Sequence, residues 1–443
     1  MPLRDLLILG FMGATFPYVF RHVFIGVLLW TWVGIMNPHK LAFGFMHDAP
    51  VAMAVALITF IGLLTTRDRV KLDWSAPMIV LAMLVAWMGM TTFFAFYPGD
   101  SMDQLVKVLK IQIMTFIAAA VLYKHLHIRL FIWVNVLSLG FYGFKGGLYT
   151  IATAGGGRVW GPPGGFIQGN NELALALIMA IPLMHFLRIT TPHKWVKRGL
   201  LAVMVLSAIS AIGTQSRGAL LALTAMAGLL WWRAPNKGIN AVMLSLVGLA
   251  ILAMMPESWF ERMSTIRTYE EDGSAMGRIN AWMTMFNLAN DRLFGGGYYV
   301  QNPLVFGLYA PDPSNPLAAH SIYFQMLGEH GYVGLGLFLL LWLLAWSRAG
   351  ALRRGTRNDP EIGWLYHLGS MVQVSLVGYA VGGAFLSLAY FDLPYNILVM
   401  AVICTRWRAE RQKVEEAERR IEEANTGVGV PLRTRLLWWV RTA

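Results

Sequence analysis

Four residues pair a reactive side chain with a setting where that side chain is costly to keep: Arg158, Arg217, Arg278 and His320. Arg217 stands in Thr214-Gln215-Ser216-Arg217-Gly218-Ala219, at the head of an apolar run that continues Leu220-Leu221-Ala222-Leu223. A guanidinium beside hydrocarbon needs a partner or a polar cavity. Its planar fork grips phosphate at two points and stays charged; snorkelling to headgroups is the plainer alternative. Arg278 follows the polar run Tyr269-Glu270-Glu271-Asp272-Gly273-Ser274. The segment from Gly277 reads as a helix with Ser274 as its N-cap, and an ion pair with one of the three carboxylates is the alternative to ligand binding. Three adjacent carboxylates without a calcium-loop pattern make a poor metal site. His320 opens the apolar run that ends near Trp346. An imidazole accepts a proton from a hydroxyl near neutrality, and a place in a first helical turn lowers its pKa. A capping or interfacial histidine is the plain alternative. Tyr323, three residues on, shares its helical face and is a candidate to orient it or the substrate. Glu329 follows at i+9 with no assigned part.

The run Gly155-Gly156-Gly157-Arg158-Val159-Trp160-Gly161-Pro162-Pro163-Gly164-Gly165 adds glycines that permit close backbone approach, the charge of Arg158 and the stacking face of Trp160. An ordinary turn has the same composition. Lys145, in Phe144-Lys145-Gly146, falls in the outer half of an apolar run, where an ionisable group marks function or snorkels. Gln215, beside Arg217, joins Lys145, Trp160 and Tyr323 as a candidate substrate contact. Arg158, Arg217 and Arg278 as diphosphate-binding cations and His320 as a base, emerging on one side of the membrane from separate parts of the chain, suit a lipid-linked diphosphate and an incoming hydroxyl.

The elements that position these groups are helices in a bilayer. The chain has 443 residues, 56% hydrophobic and only 14% charged, against about 25% charged in soluble domains; mean hydropathy is +0.53. Apolar runs at 5–36, 50–64, 76–95, 104–122, 130–152, 170–187, 197–213, 217–232, 238–256, 320–346, 364–383 and 386–405 make about twelve transmembrane helices. Pro17, Arg21 and His22 interrupt the first, which is expected to cross once as a broken helix and to be retained, since no small-residue cleavage site follows it. Cations crowd alternate connections (Arg67, Arg69, Lys71; Lys124, Arg129; Arg188 to Arg198; Arg233, Lys237; Arg348 to Arg357). The positive-inside rule puts these in the cytoplasm with both termini, so the net charge of +12 gives no reason to expect nucleic acid. The expected division is a transmembrane bundle over 1–256, a periplasmic cap loop over 257–319 carrying Trp259, Phe260, Trp282, Phe286, Phe294 and Tyr298, a second transmembrane part over 320–405, and over 406–443 a charged cytoplasmic helix and interfacial tail. The glycines spread along the spans mark close helix packing. The lone Cys404 excludes an internal disulfide.

The segment SRGALLAL around Arg217, the polar insert, and HSIYFQMLGEHGYVGLGLFLLL from His320 resemble the O-antigen ligase and polymerase superfamily. They are similar to bacterial O-antigen ligases, including relatives associated with exosortase systems. The resemblance spans about 155–344. It implies an all-α polytopic glycosyltransferase of GT-C-like architecture in the inner membrane, with its large loop and active site in the periplasm. The implied donor is a glycan on undecaprenyl diphosphate, and the implied acceptor is lipid A-core, joined with inversion to complete lipopolysaccharide. No metal or nucleotide cofactor is implied. His320 matches the catalytic histidine, and Arg217 and Arg278 the essential arginines; Arg158, Lys145 and Gln215 rest on no such motif. Membrane lipids are the other expected partners, and a monomer is expected. A polymerase, or a ligase that glycosylates protein, uses the same donor. A transporter would show paired inverted repeats, and none is visible.

Overall fold

The computed structural model describes residues 3–66, 68, 70–234, 236–253, 255–264 and 273–425. These form sixteen α-helices and a short 3-10 turn, with no strand among the described residues. In order they are α1 (Leu3–Val19), α2 (Phe24–Met36), α3 (Val51–Thr65), α4 (Ala76–Phe93), α5 (Pro98–Val121), α6 (His125–Ala152), α7 (Asn170–Thr190), α8 (Lys194–Gly213), α9 (Arg217–Arg233), α10 (Lys237–Leu252), α11 (Glu257–Ser264), α12 (Gly273–Asp291), α13 (Pro303–Tyr309), α14 (Ile322–Arg353), α15 (Gly363–Gly383) and α16 (Asp392–Asn425). Six, α4 to α8 and α14, are long and apolar enough to cross a membrane, and α2 and α3 are shorter apolar helices. The chain is thus a helical polytopic membrane protein.

Residues 3–36 do not form one broken crossing. At the head of α1 the Arg4 guanidinium donates to the Leu41 carbonyl, and the Asp5 carboxylate accepts the Met46 amide. Both partners lie beyond the end of α2. At the break the Phe20 and Arg21 carbonyls accept from the Thr65 and Thr66 hydroxyls at the end of α3. Helices α1 and α2 are therefore a hairpin, and those hydroxyls satisfy carbonyls that a turn leaves without intrahelical partners. The head of α1 consequently lies at the end of the bundle opposite the part of α16 that carries Arg406 and Arg408, while the termini themselves, residues 1–2 and 426–443, lie outside the described residues.

The cation-rich connections gather as expected. Arg406 donates to the Lys71 and Leu122 carbonyls, Arg408 to those of Ala351 and Arg354, and Arg233 to Gln373. Arg67 and Arg69 lie outside the described residues. The glycine reading also holds: a Cβ at Gly147 would stand 2.4 Å from the Leu206 carbonyl oxygen, and one at Gly143 2.0 Å from the Ser207 hydroxyl. Small residues thus let α6 and α8 approach closely. The last span and the charged helix are one continuous element, α16, while residues 426–443 lie outside the described residues.

Helix α14 breaks at Gly331, whose φ of 66° and ψ of −171° are not helical. The break frees three carbonyls, and each finds a donor. Gly328 accepts from the Gly296 amide at 2.8 Å and Glu329 from Gly297 at 2.9 Å, while His330 accepts from the Trp87 indole at 2.8 Å. The Gly295-Gly296-Gly297 turn is thereby locked against α14. Ala281, Met285, Leu288, Val300, Val305, Phe306 and Ala319 form a small apolar cluster of their own beside it.

Candidate active site at one end of the bundle

Helix α12 holds the connection that ends in His320. The Asn280 side chain brackets Asp312, donating to its carbonyl and accepting its amide. Asn287 donates to the Tyr309 carbonyl, and the Trp282 indole to that of Ala319 at 2.6 Å. Trp282 also stacks on Phe324 at 5.1 Å. His320 itself lies just outside α14, with φ 43°, two residues before the helix starts at Ile322. It is not in the first helical turn, so the helix terminus is not what tunes it, and the i+3 relation to Tyr323 does not hold. Tyr323 instead donates to the Ala380 carbonyl at 2.8 Å.

The His320 imidazole is half-buried, and its Nδ1 has no hydrogen-bond partner. Burial, and secondarily the charge of Arg278, lower its pKa. Arg278 also interacts electrostatically with Glu172 in the first turn of α7, whose carboxylate folds over Gly169, where a Cβ would lie 2.0 Å from it. The structure thus brings His320, Arg278 and Glu172 together. The carboxylates 270–272 proposed as ion-pair partners lie outside the described residues, as does the Ser274 side chain.

Arg217 is the first residue of α9. Ser216 caps that helix by accepting the Ala219 amide at 3.2 Å, and Gln215 before it has φ 58° and donates to the Gly155 carbonyl at 3.3 Å. A Cβ at Gly218 would meet Phe385 at 3.1 Å, and one at Gly383 would meet Ile322 at 2.6 Å. The heads of α9 and α14 therefore flank the same end of α15, which puts Arg217 and His320 on one end of the bundle.

Lys145, Arg158 and Trp160 line a separate cavity of about 380 Å³ with Leu41, Tyr149 and Pro162. The Arg158 guanidinium lies 5.9 Å from the centre of the Trp160 ring. Two hydrogen bonds join this loop to the Arg217 turn: the Val159 backbone amide donates to the Gly213 carbonyl at 3.2 Å and the Gln215 side chain to that of Gly155. Lys145, Arg158 and Trp160 thus form one group, tied through the Gly155–Val159 backbone to the turn that carries Arg217, and His320 and Arg278 form another.

The sequence reading left Glu329 and His330 unused. The Tyr390 hydroxyl donates to a Glu329 carboxylate oxygen. His330 Nε2 lies 2.8 Å from the Tyr390 hydroxyl, and its Nδ1 2.7 Å from that of Thr91. The available signal was Gly328-Glu329-His330-Gly331 itself, two ionisable residues inside an apolar run. Its partners lie about sixty and two hundred and forty residues away, which no spacing rule finds. Among the described residues no group of three or more His, Cys, Asp or Glu is placed to hold a metal ion.

The chain is a helical membrane protein that carries Arg217 and a half-buried histidine, its Nδ1 without a hydrogen-bond partner, at one end of its bundle. Residues 174–339 match the family described as O-Antigen ligase, which supports the O-antigen ligase superfamily and a ligase- or polymerase-type activity. Arg217, Arg278 and His320 all fall in that span. Residues 3–191 match a family of unknown function, which contains Lys145, Arg158 and Trp160. No curated protein matches the chain.

Proposed function

We propose that the chain is an inverting glycosyltransferase of the bacterial inner membrane. In this reading it has about twelve transmembrane helices in a GT-C-like arrangement, acts at the periplasmic leaflet, and ligates a glycan from undecaprenyl diphosphate onto lipid A-core. His320 takes the proton from an acceptor hydroxyl. That oxygen attacks the donor's anomeric carbon from the face opposite the diphosphate, forming the new glycosidic bond as the carbon–oxygen bond to diphosphate breaks. Arg217 and Arg278 hold the diphosphate and balance the charge that grows as it leaves. Lys145, Arg158 and Trp160 hold a second anionic or lipid-borne part of a substrate. The observation that carries this reading is the partner-free Nδ1 of His320 beside Arg278, within the O-antigen ligase span. Neutral imidazole next to a fixed cation is the pairing that proton removal and diphosphate departure require.

The test is transfer in vitro with purified protein, defined lipid-linked glycan and purified core lipid. Ligated product is expected. Glycan lengthened on its own carrier would instead identify a polymerase, and product on added protein would identify a protein-glycan ligase. No transfer to any acceptor would refute the proposal.

A further inference from the structure

The mechanism above leaves one polar cavity unused. It has a volume of about 250 Å³ and opens beside the Ala318–Ala319 backbone that leads into His320. Gln104, Gln301 and Gln325 contribute three primary amides, Glu329 a carboxylate, and Tyr298 and Tyr299 two aromatic rings. Among the described residues that line it there is no lysine or arginine, so it is not built for an anion. Amides donate and accept, the carboxylate accepts, and phenol rings offer flat apolar faces. That set matches a neutral polyhydroxylated ring, whose hydroxyls do both and whose C–H faces stack. The volume is about eight times the ~30 Å³ share of one water in the liquid, room for one such ring.

A further observation points to a ligand. The Glu329 carboxylate accepts from the Tyr390 hydroxyl, which pairs with His330 Nε2, and Thr91 holds the other nitrogen of that imidazole. Its other hydrogen bond among the described residues is a long one, 3.4 Å from the Gln325 amide, which lines the same cavity.

We propose that this cavity binds one neutral sugar ring of a saccharide lying across the site, next to the hydroxyl or anomeric carbon that reacts. The proposal rests on the glycosyl-transfer reading for its place in the reaction, and on its own geometry for the binding. The test has two arms, using the full chain in detergent. Saturation-transfer NMR with the methyl glycosides of glucose, galactose and N-acetylglucosamine reads binding without any reaction. Signal is expected with the native protein and is expected to be lost in Gln301→Ala, whose exposed loop position spares the fold, and in Glu329→Gln. No signal from any glycoside, or undiminished signal in both variants, overturns the proposal.

In the kinetic arm, Gln301→Ala is expected to raise KM about 5- to 30-fold, the effect of one lost hydrogen bond to a ligand, with kcat nearly unchanged. A rise for the core acceptor puts the ring on the acceptor; a rise for the lipid-linked donor puts it on the donor glycan. Neither KM moving would overturn the proposal. Absence of transfer by the native protein alongside intact glycoside binding would sink the transferase reading and leave the cavity assigned.

Discussion

Replacing Gly331 by alanine isolates the feature that ties the loop ahead of α13 to the helix carrying Glu329. The glycine's φ of 66° and ψ of −171° belong to a region that only glycine enters freely, and forcing alanine there costs about 1–3 kcal/mol. The added Cβ would also stand 2.2 Å from the Leu293 carbonyl oxygen, a backbone atom with no rotamer to escape into. The turn after Leu293 must retreat by on the order of 1 Å to restore ordinary contact. That retreat carries the Gly296–Gly328 and Gly297–Glu329 hydrogen bonds, now 2.8 and 2.9 Å, out of range, at about 0.5–1.5 kcal/mol each. The sum is about 2–6 kcal/mol, the upper part of which few substitutions reach. Gly336→Ala on the same helix is the matched control, because nothing lies within 4 Å of its added Cβ and alanine gains about 0.8–1 kcal/mol in a helix interior. Tryptophan fluorescence during thermal unfolding in detergent should therefore show the two glycine-to-alanine changes moving the midpoint in opposite directions. A Gly331→Ala protein that melts at or above the native midpoint would refute the account of α14.

His320→Ala is expected to lower kcat for transfer by about 10²–10⁴, with the thermal midpoint unchanged; full transfer by the variant removes the histidine from the mechanism. Arg217→Ala is expected to lose about 10²–10³, and normal rates for it would leave the diphosphate without its assigned holder. The pH profile tests Arg278. Neutral His320 is the active form, so activity falls as pH drops through its pKa, which burial and then Arg278 hold below the ordinary value of 6.5. Arg278→Gln removes the second cause and keeps the first, so the acidic limb should move to higher pH; a limb that stays or moves down would show that Arg278 does not act on the imidazole.

Much of this arrangement was legible because it depends on local cost. A cation inside apolar sequence has few places to go, and Lys145 and Arg158 do meet in one cavity. Glycines spaced along apolar helices imply close packing, and Gly143 and Gly147 meet α8 as that rule requires. What failed depends on direction. Pro17, Arg21 and His22 announce an interruption but do not say whether the chain continues or reverses. The reversal is set by partners elsewhere, Leu41 and Met46 at one end and Thr65 and Thr66 at the other. His320 stands at the head of the apolar run to Trp346, which places it in a first helical turn, yet the chain takes a left-handed step there, and Trp282 holds the preceding carbonyl.

That left-handed step bears on what His320 is able to do. Inside a first turn its orientation would be fixed by α14, and its basicity by the helix terminus. Outside the helix it is placed by α12 through Trp282 and Asn280, and α12 also carries Arg278. One element thus sets both the imidazole and the guanidinium, so a shift of α12 moves the pair together. The contacts that fix α14 reach the same neighbourhood independently, through Gly296 and Gly297. On the proposed reaction, the proton acceptor and the diphosphate-binding arginine share a support that the buried Glu329–Tyr390–His330 group does not. Changes in α12 should then disturb chemistry, and changes around Glu329 should disturb what binds beside it.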